Sequence, residues 1–127
     1  PVSCAAALAT LDVLCAPGVH DHLHALGTRF REVLASVLRT ESETAQVLGL
    51  GPLAQVAFAA EPIRDHAGWQ RADRKRSRAV MLELLKAHVF LNPMGTKLYL
   101  SLAHDDALLA QFAERLTQAL RATRPDR

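Results

Sequence analysis

The chain has 127 residues, half of them hydrophobic and 5% aromatic, with a formal net charge of +2. That is the size of one domain with a modest core of Leu, Val and Ala, and it is too apolar for a disordered segment. So mild a charge argues against nucleic acid unless it is concentrated in a patch, no apolar run approaches the ~18 residues of a membrane span, and no charged segment precedes a signal-like core.

Residues 1–15 are Ala-rich and predict a first helix, with Pro1 suited to its first position. Only Ser3, Thr10 and Asp12 are clearly polar in it. A helix apolar nearly all round is normally buried on several sides, which a domain this small can hardly provide. The expectation is that it packs against a missing partner, the chain beginning partway through a longer protein. Ala5, Ala6, Ala7 and Ala9 would permit a close approach. Cys4 and Cys15 would lie on one face about 16 Å apart, beyond disulfide reach. They read as two buried thiols of a reduced, cytoplasmic protein.

Ala16-Pro17-Gly18 breaks this helix. The apolar spacing of Leu23, Leu26, Phe30, Val33, Leu34, Val37 and Leu38 predicts a second helix from Val19 to Leu38. Gly27 inside it costs about 1 kcal/mol relative to Ala, so a packing reason is expected. After a polar link at Thr40–Thr44, strands are predicted at Ala45–Leu50 and Leu53–Ala60, with Gly49, Gly51 and Pro52 implying a kink or bulge. Glu61–Ala72 reads as a long loop. Asp73 caps a third helix running to Ala87. Strands at Val89–Leu91 and Leu98–Leu102 then flank a turn set by Asn92-Pro93 and Gly95, and Asp105-Asp106 open a last helix ending near Arg121. Paired strands beside separate helices predict an α+β layer: a small, mostly antiparallel sheet of about four strands with helices on one face.

Candidate chemistry is sparse. His20 and His24 share a helix face, but two imidazoles leave a metal site incomplete, and a solvated face accounts for them. Arg71, Arg74, Lys75, Arg76 and Arg78 form a basic run that reads as exposed charge, with an anion site or a partner surface as the alternatives. His104 beside Asp105-Asp106 suggests a base and its orienting acid, yet no Ser or Cys nucleophile is placed for it, and capping explains the acids. Lys97 has no cationic neighbour in sequence to lower its pKa for covalent work, which leaves the steering of an anionic substrate. No phosphate-binding or nucleophile-elbow motif occurs.

Taken in order, several segments resemble the C-terminal small domain of class III pyridoxal-phosphate aminotransferases, specifically the glutamate-1-semialdehyde aminomutase-like members. Residues 1–11 are similar to the helix that opens that domain. The Pro-Gly-x-x-x-x-Leu-x-x-Leu-Gly-x-x-x-x-x-x-Leu pattern of 17–34 is similar to its second helix. Gly49-Leu50-Gly51, Glu61-Pro62-Ile63-Arg64-Asp65, Val89–Pro93 and Leu100–Asp106 follow in the same order. The resemblance implies that residues 1–127 are the small domain of a fold-type-I homodimeric enzyme, with 1–15 as the interdomain helix. A large N-terminal domain, absent here, would carry the cofactor lysine. Pyridoxal 5'-phosphate is thus implied for the parent and not for this chain, whose Lys75, Lys86 and Lys97 match no cofactor-lysine context.

The small domain would close over the substrate, an amino donor or oxo acceptor, with Met94, Gly95, Thr96 and Lys97 nearest the active-site mouth and no catalytic residue of its own. The aminomutases' Pro-Ser-x-x-Glu turn is replaced by Pro93-Met94-Gly95-Thr96-Lys97, and no arginine lies between Val89 and Asp105. The resemblance therefore implies a transaminase of unspecified donor. The alternative is a free-standing, non-catalytic binding module with the same fold.

Overall fold

The computed structural model describes residues 1–92 and 97–124. Its elements are α1 (Val2–Leu14), α2 (Val19–Thr40), β1 (Gln46–Leu48), β2 (Leu53–Ala57), α3 (His66–Gln70), α4 (Arg74–Lys86), β3 (Lys97–Tyr99) and α5 (Asp106–Ala122). The strands form one antiparallel sheet in the order β1-β2-β3. The α+β architecture read from the sequence is the one observed, with one strand fewer.

The core lies between one sheet face and helices α2, α4 and α5. Leu26, Phe30, Leu34 and Leu38 point from α2 at four-residue spacing, which places them on one face. They meet Ala54, Val56 and Leu98 of the sheet, Val80 and Leu84 of α4, and Leu109, Leu116 and Leu120 of α5. Phe30 and Phe112 meet edge to face at 5.5 Å. Each fully buried leucine contributes about 1.5–3 kcal/mol of transfer free energy, so this layer holds the domain together.

Gly27 sits where α2 crosses the β1–β2 hairpin turn. A Cβ there would lie 1.9 Å from the Gly51 carbonyl oxygen, so only glycine allows the crossing. The expected kink at Gly49–Pro52 is the hairpin turn itself, with Gly49 at φ 141° and Gly51 at φ 54°.

Several expectations are corrected. Val89–Leu91 is no strand: His88 (φ 60°) turns the chain at the end of α4, and the Val89 N–H is spent on the Leu84 carbonyl at 2.8 Å. Val89 and Leu91 still pack on the core, which explains the in–out pattern without a ladder. β3 ends at Tyr99; Leu102 lies in the following turn and is exposed. Part of the expected loop 61–72 is helix α3, capped by the Asp65 carboxylate accepting from the Gly68 N–H at 2.7 Å. Cys4 and Cys15 are exposed, because α1 buries none of its residues. It meets α2 at an 81° bend and is covered by little else. Among the described residues no single helix is long and apolar enough to cross a membrane.

Candidate functional site

Strand alternation divides the sheet into two faces. Val47, Ala54, Val56 and Leu98 face the helices, so Gln46, Leu48, Leu53, Gln55, Ala57, Lys97 and Tyr99 share the other face. One end of that face is closed. The Gln46 amide donates to the carbonyls of Ala59 (3.0 Å) and Glu61 (2.6 Å) and accepts from the Ile63 N–H (3.2 Å), drawing the chain across fully buried Ala57. The other end is open, a cleft of about 250 Å³ walled by Leu48, Leu50, Leu53 and Tyr99. Gln55 and Lys97, direct cross-strand partners, both line it. The Gln55 Nε2 is shielded from solvent and has no hydrogen-bond partner among the described residues. An unmet buried donor costs about 1–3 kcal/mol.

Lys97 is exposed at the start of β3 and also borders a second cleft of about 220 Å³, lined by Phe30, Phe90, Asn92, His104 and Phe112 among others. It stands between the two clefts. Of the four residues expected to touch substrate, it alone is placed; Met94, Gly95 and Thr96 lie outside the described residues. His104 is brought against Ser101, a neighbour the sequence reading did not pair with it. Its Nδ1 accepts from the Ser101 N–H at 3.0 Å and lies 3.0 Å from the Ser101 Oγ. This is a local turn and not a catalytic pair, because both candidate orienting acids are committed elsewhere. Asp105 caps α5 through the Leu108 N–H (2.8 Å), and Asp106 pairs with Arg29 (2.9 Å).

A wider groove, about 880 Å³, lies where the ends of α2 and α5 meet the start of α4. Both of its glutamates are paired with arginines. Glu41, nearly inaccessible, pairs with Arg121 at 2.7 Å and Arg124 at 3.0 Å. Glu43 pairs with Arg76, which also donates to the Thr123 carbonyl and hydroxyl and the Leu120 carbonyl, and lies over the Phe58 ring. The Arg121 hydrogen bond holds the Glu41 carboxyl below the usual carboxylate range; burial opposes this and Arg124 adds to it. Arg76, expected as exposed charge, is thus part of a clasp tying three helices. Arg121 and Arg124, at and just beyond the end of α5, are held by the same acid, Glu41. No local pattern announces this, because the partners are 33 to 83 residues apart.

The residues present do not suit a pyridoxal-type cofactor. Lys75 is exposed on α4, Lys86 is paired with Glu83 at 2.6 Å, and Lys97 borders clefts below the usual ~300–1,000 Å³ of ligand pockets, with no arginine in their lining. His20, His22 and His24 are exposed, and among the described residues no three His, Cys, Asp or Glu side chains converge as metal ligands.

No protein-family model matches the chain. It is 32% identical over 107 residues to a glutamate-1-semialdehyde 2,1-aminomutase of Desulfosudis oleivorans, a match covering 84% of this chain and 25% of that protein. Among solved structures it superimposes with a TM-score of 0.75 and 16% identity on a glutamate-1-semialdehyde-aminomutase from Pseudomonas aeruginosa PAO1 in complex with PMP, covering 84% of this chain and 24% of that one. An omega-transaminase from Sphaerobacter thermophilus gives a TM-score of 0.73 at 22% identity, covering 87% and 25%. The chain spans about a quarter of the length of the curated relatives it matches.

Proposed function

We infer function from this kinship: the chain is a relative of the glutamate-1-semialdehyde 2,1-aminomutases and has the fold of the C-terminal small domain of class III pyridoxal-phosphate aminotransferases. We propose that it serves as the small domain of such an enzyme, covering the substrate while a large domain holds pyridoxal 5'-phosphate and performs the chemistry. When bound there, the cofactor supplies the means of moving an amino group between an amino compound and an oxo compound. The observation that carries the reading is that sequence and fold each match about a quarter of the length of these enzymes. Two features support it. An apolar helix exposed all round, α1, is what a domain junction leaves bare when its other half is away. Lys75 is exposed on α4 and Lys86 is paired with Glu83, so neither is enclosed in a pocket.

In this role residues 1–15 link the domains, and Lys97 stands at the substrate mouth with Met94, Gly95 and Thr96 proposed beside it. The working enzyme is proposed to be a homodimer. The exchange of the aminomutase acid for Pro93-Met94-Gly95-Thr96-Lys97 favours transamination of a separate donor and acceptor over internal rearrangement.

The test is to express the complete reading frame containing these residues, add pyridoxal phosphate, reduce with borohydride and map the labelled peptide. The label is expected on a lysine other than Lys75, Lys86 and Lys97. A frame encoding no cofactor domain, or a label on one of these three, would overturn the reading.

A further inference from the structure

We propose that Gln55 and Lys97 form a two-donor seat for the carboxylate of a small organic acid, on the open face of the sheet. This rests on the aminotransferase reading above and extends it by naming a class of substrate, amino or oxo acids over simple amines.

Three observations combine. The register sets Gln55 and Lys97 directly opposite each other on antiparallel strands, so their Cβ atoms are about 4.5–5.5 Å apart and both side chains rise from the same face. The Gln55 Nε2 is a buried donor with nothing to donate to among the described residues, in a fold that gives the Gln46 amide, on the same face, three backbone partners. Buried donors are almost always met, so an acceptor is missing. The described residues lining both clefts that Lys97 borders include no aspartate or glutamate, so its charge is unanswered locally.

An acceptor carrying negative charge satisfies both groups at once: one carboxylate oxygen for the amide N–H, the other for the ammonium. An amine would be repelled by Lys97 and would offer Gln55 no acceptor. The walls, Leu48, Leu53 and Tyr99, suit the short hydrocarbon part of such an acid, and Leu50 and Tyr99 stand 78% and 53% exposed at the rim. The lysine supplies the charge that an arginine fork would otherwise bring, while the glutamine, fixed by its strand, supplies the direction.

Titration of the ¹⁵N-labelled 127-residue protein with butyrate, followed through the Gln55 side-chain amide signals, tests the seat. Butyramide serves as the uncharged isostere. Butyrate is expected to shift the Gln55 signals saturably, with a Kd on the order of 10 mM for so small a ligand. Butyramide is expected not to do so, and Q55L and K97M should each weaken binding about tenfold. K97M alters an exposed side chain and keeps the test alive if Q55L fails to fold. An unmoved Gln55 amide, an equal response to butyramide, or unchanged affinity in K97M would overturn the proposal.

The rival occupant of the seat is a carboxylate from the proposed large domain. In the complete enzyme K97M is therefore expected to raise KM about tenfold for an amino acid donor and to lower KM for the matching amine, whose repulsion it relieves. Unchanged KM values for both would assign the seat to the protein and sink the proposal. The binding arm needs neither cofactor nor turnover, so its failure and failure of the aminotransferase reading are separate results.

Discussion

Glu41 carries a carboxylate that the fold removes from water, and the cost is met by two guanidinium groups from α5 and the segment beyond it. The Arg121 hydrogen bond is the largest reason its pKa falls below the ordinary 4.5. A depressed acid stabilises the fold fully above its unfolded value, and that stabilisation is lost as pH falls through the lowered folded value. Thermal melts of wild type and E41Q should differ most near neutral pH and converge below about pH 4.5. A gap that stayed constant through that range would deny Glu41 the role. At Gly27 two effects compete. Alanine favours a helix by about 1 kcal/mol, whereas forcing a Cβ to within 1.9 Å of the Gly51 oxygen costs about 1–3 kcal/mol or more. Gly27→Ala should therefore lower the urea midpoint, by a net loss of roughly 1–2 kcal/mol.

Helices α1 and α2 behave as opposites at the scale of the element. The stripe on α2 is amphipathic and reaches the core; α1 has no stripe and buries nothing. Leu34→Ala should cost about 2–5 kcal/mol in chemical denaturation, since it empties a fully buried site. Leu85→Ala, half exposed on α4, should stay within about 0.5 kcal/mol of wild type. Amides of α1 in the 127-residue protein should exchange with solvent far faster than those of α5, because its opening exposes no buried surface. Equal protection in a proven monomer would mean that α1 has a partner within the chain. The second, fourth and fifth helices and the first two strands were legible because their apolar spacing and caps are local signals. The short α3 was not, because a five-residue helix with an internal glycine has no periodicity to read. The false strand at Val89–Leu91 has the opposite cause: its alternation is real, but it reflects packing on the core and not strand pairing.

Across the whole molecule, the apolar surface left bare is not random. Val2, Leu8, Leu11 and Val13 of α1, with Leu50, Leu53 and Tyr99 on the open sheet face, are all exposed. If this chain is one domain of a larger enzyme, α1 and this sheet face should gain hydrogen-exchange protection in the complete protein relative to the 127-residue chain, while α2 and α5 should change little. The candidate site was only partly legible. Lys97 stood out beside the turn set by Asn92-Pro93 and Gly95, but Gln55 carries no motif. It lies 42 residues earlier, and only strand pairing brings the two together. The Glu41 and Glu43 clasp was hidden for the same reason.

The sequence by itself determined the α+β class, the boundaries of the four long helices to within a residue or two, a packing reason for Gly27 and the resemblance to an aminotransferase small domain. All of these are written in spacing, caps and motif order along the chain. Only the tertiary structure decided that three strands pair and not four, that Arg76 is a part-buried clasp and not surface charge, that the two thiols are exposed, and that Gln55 faces Lys97. Each of these depends on which distant backbone or side chain ends up opposite, a pairing set by register and crossing geometry that no local pattern encodes.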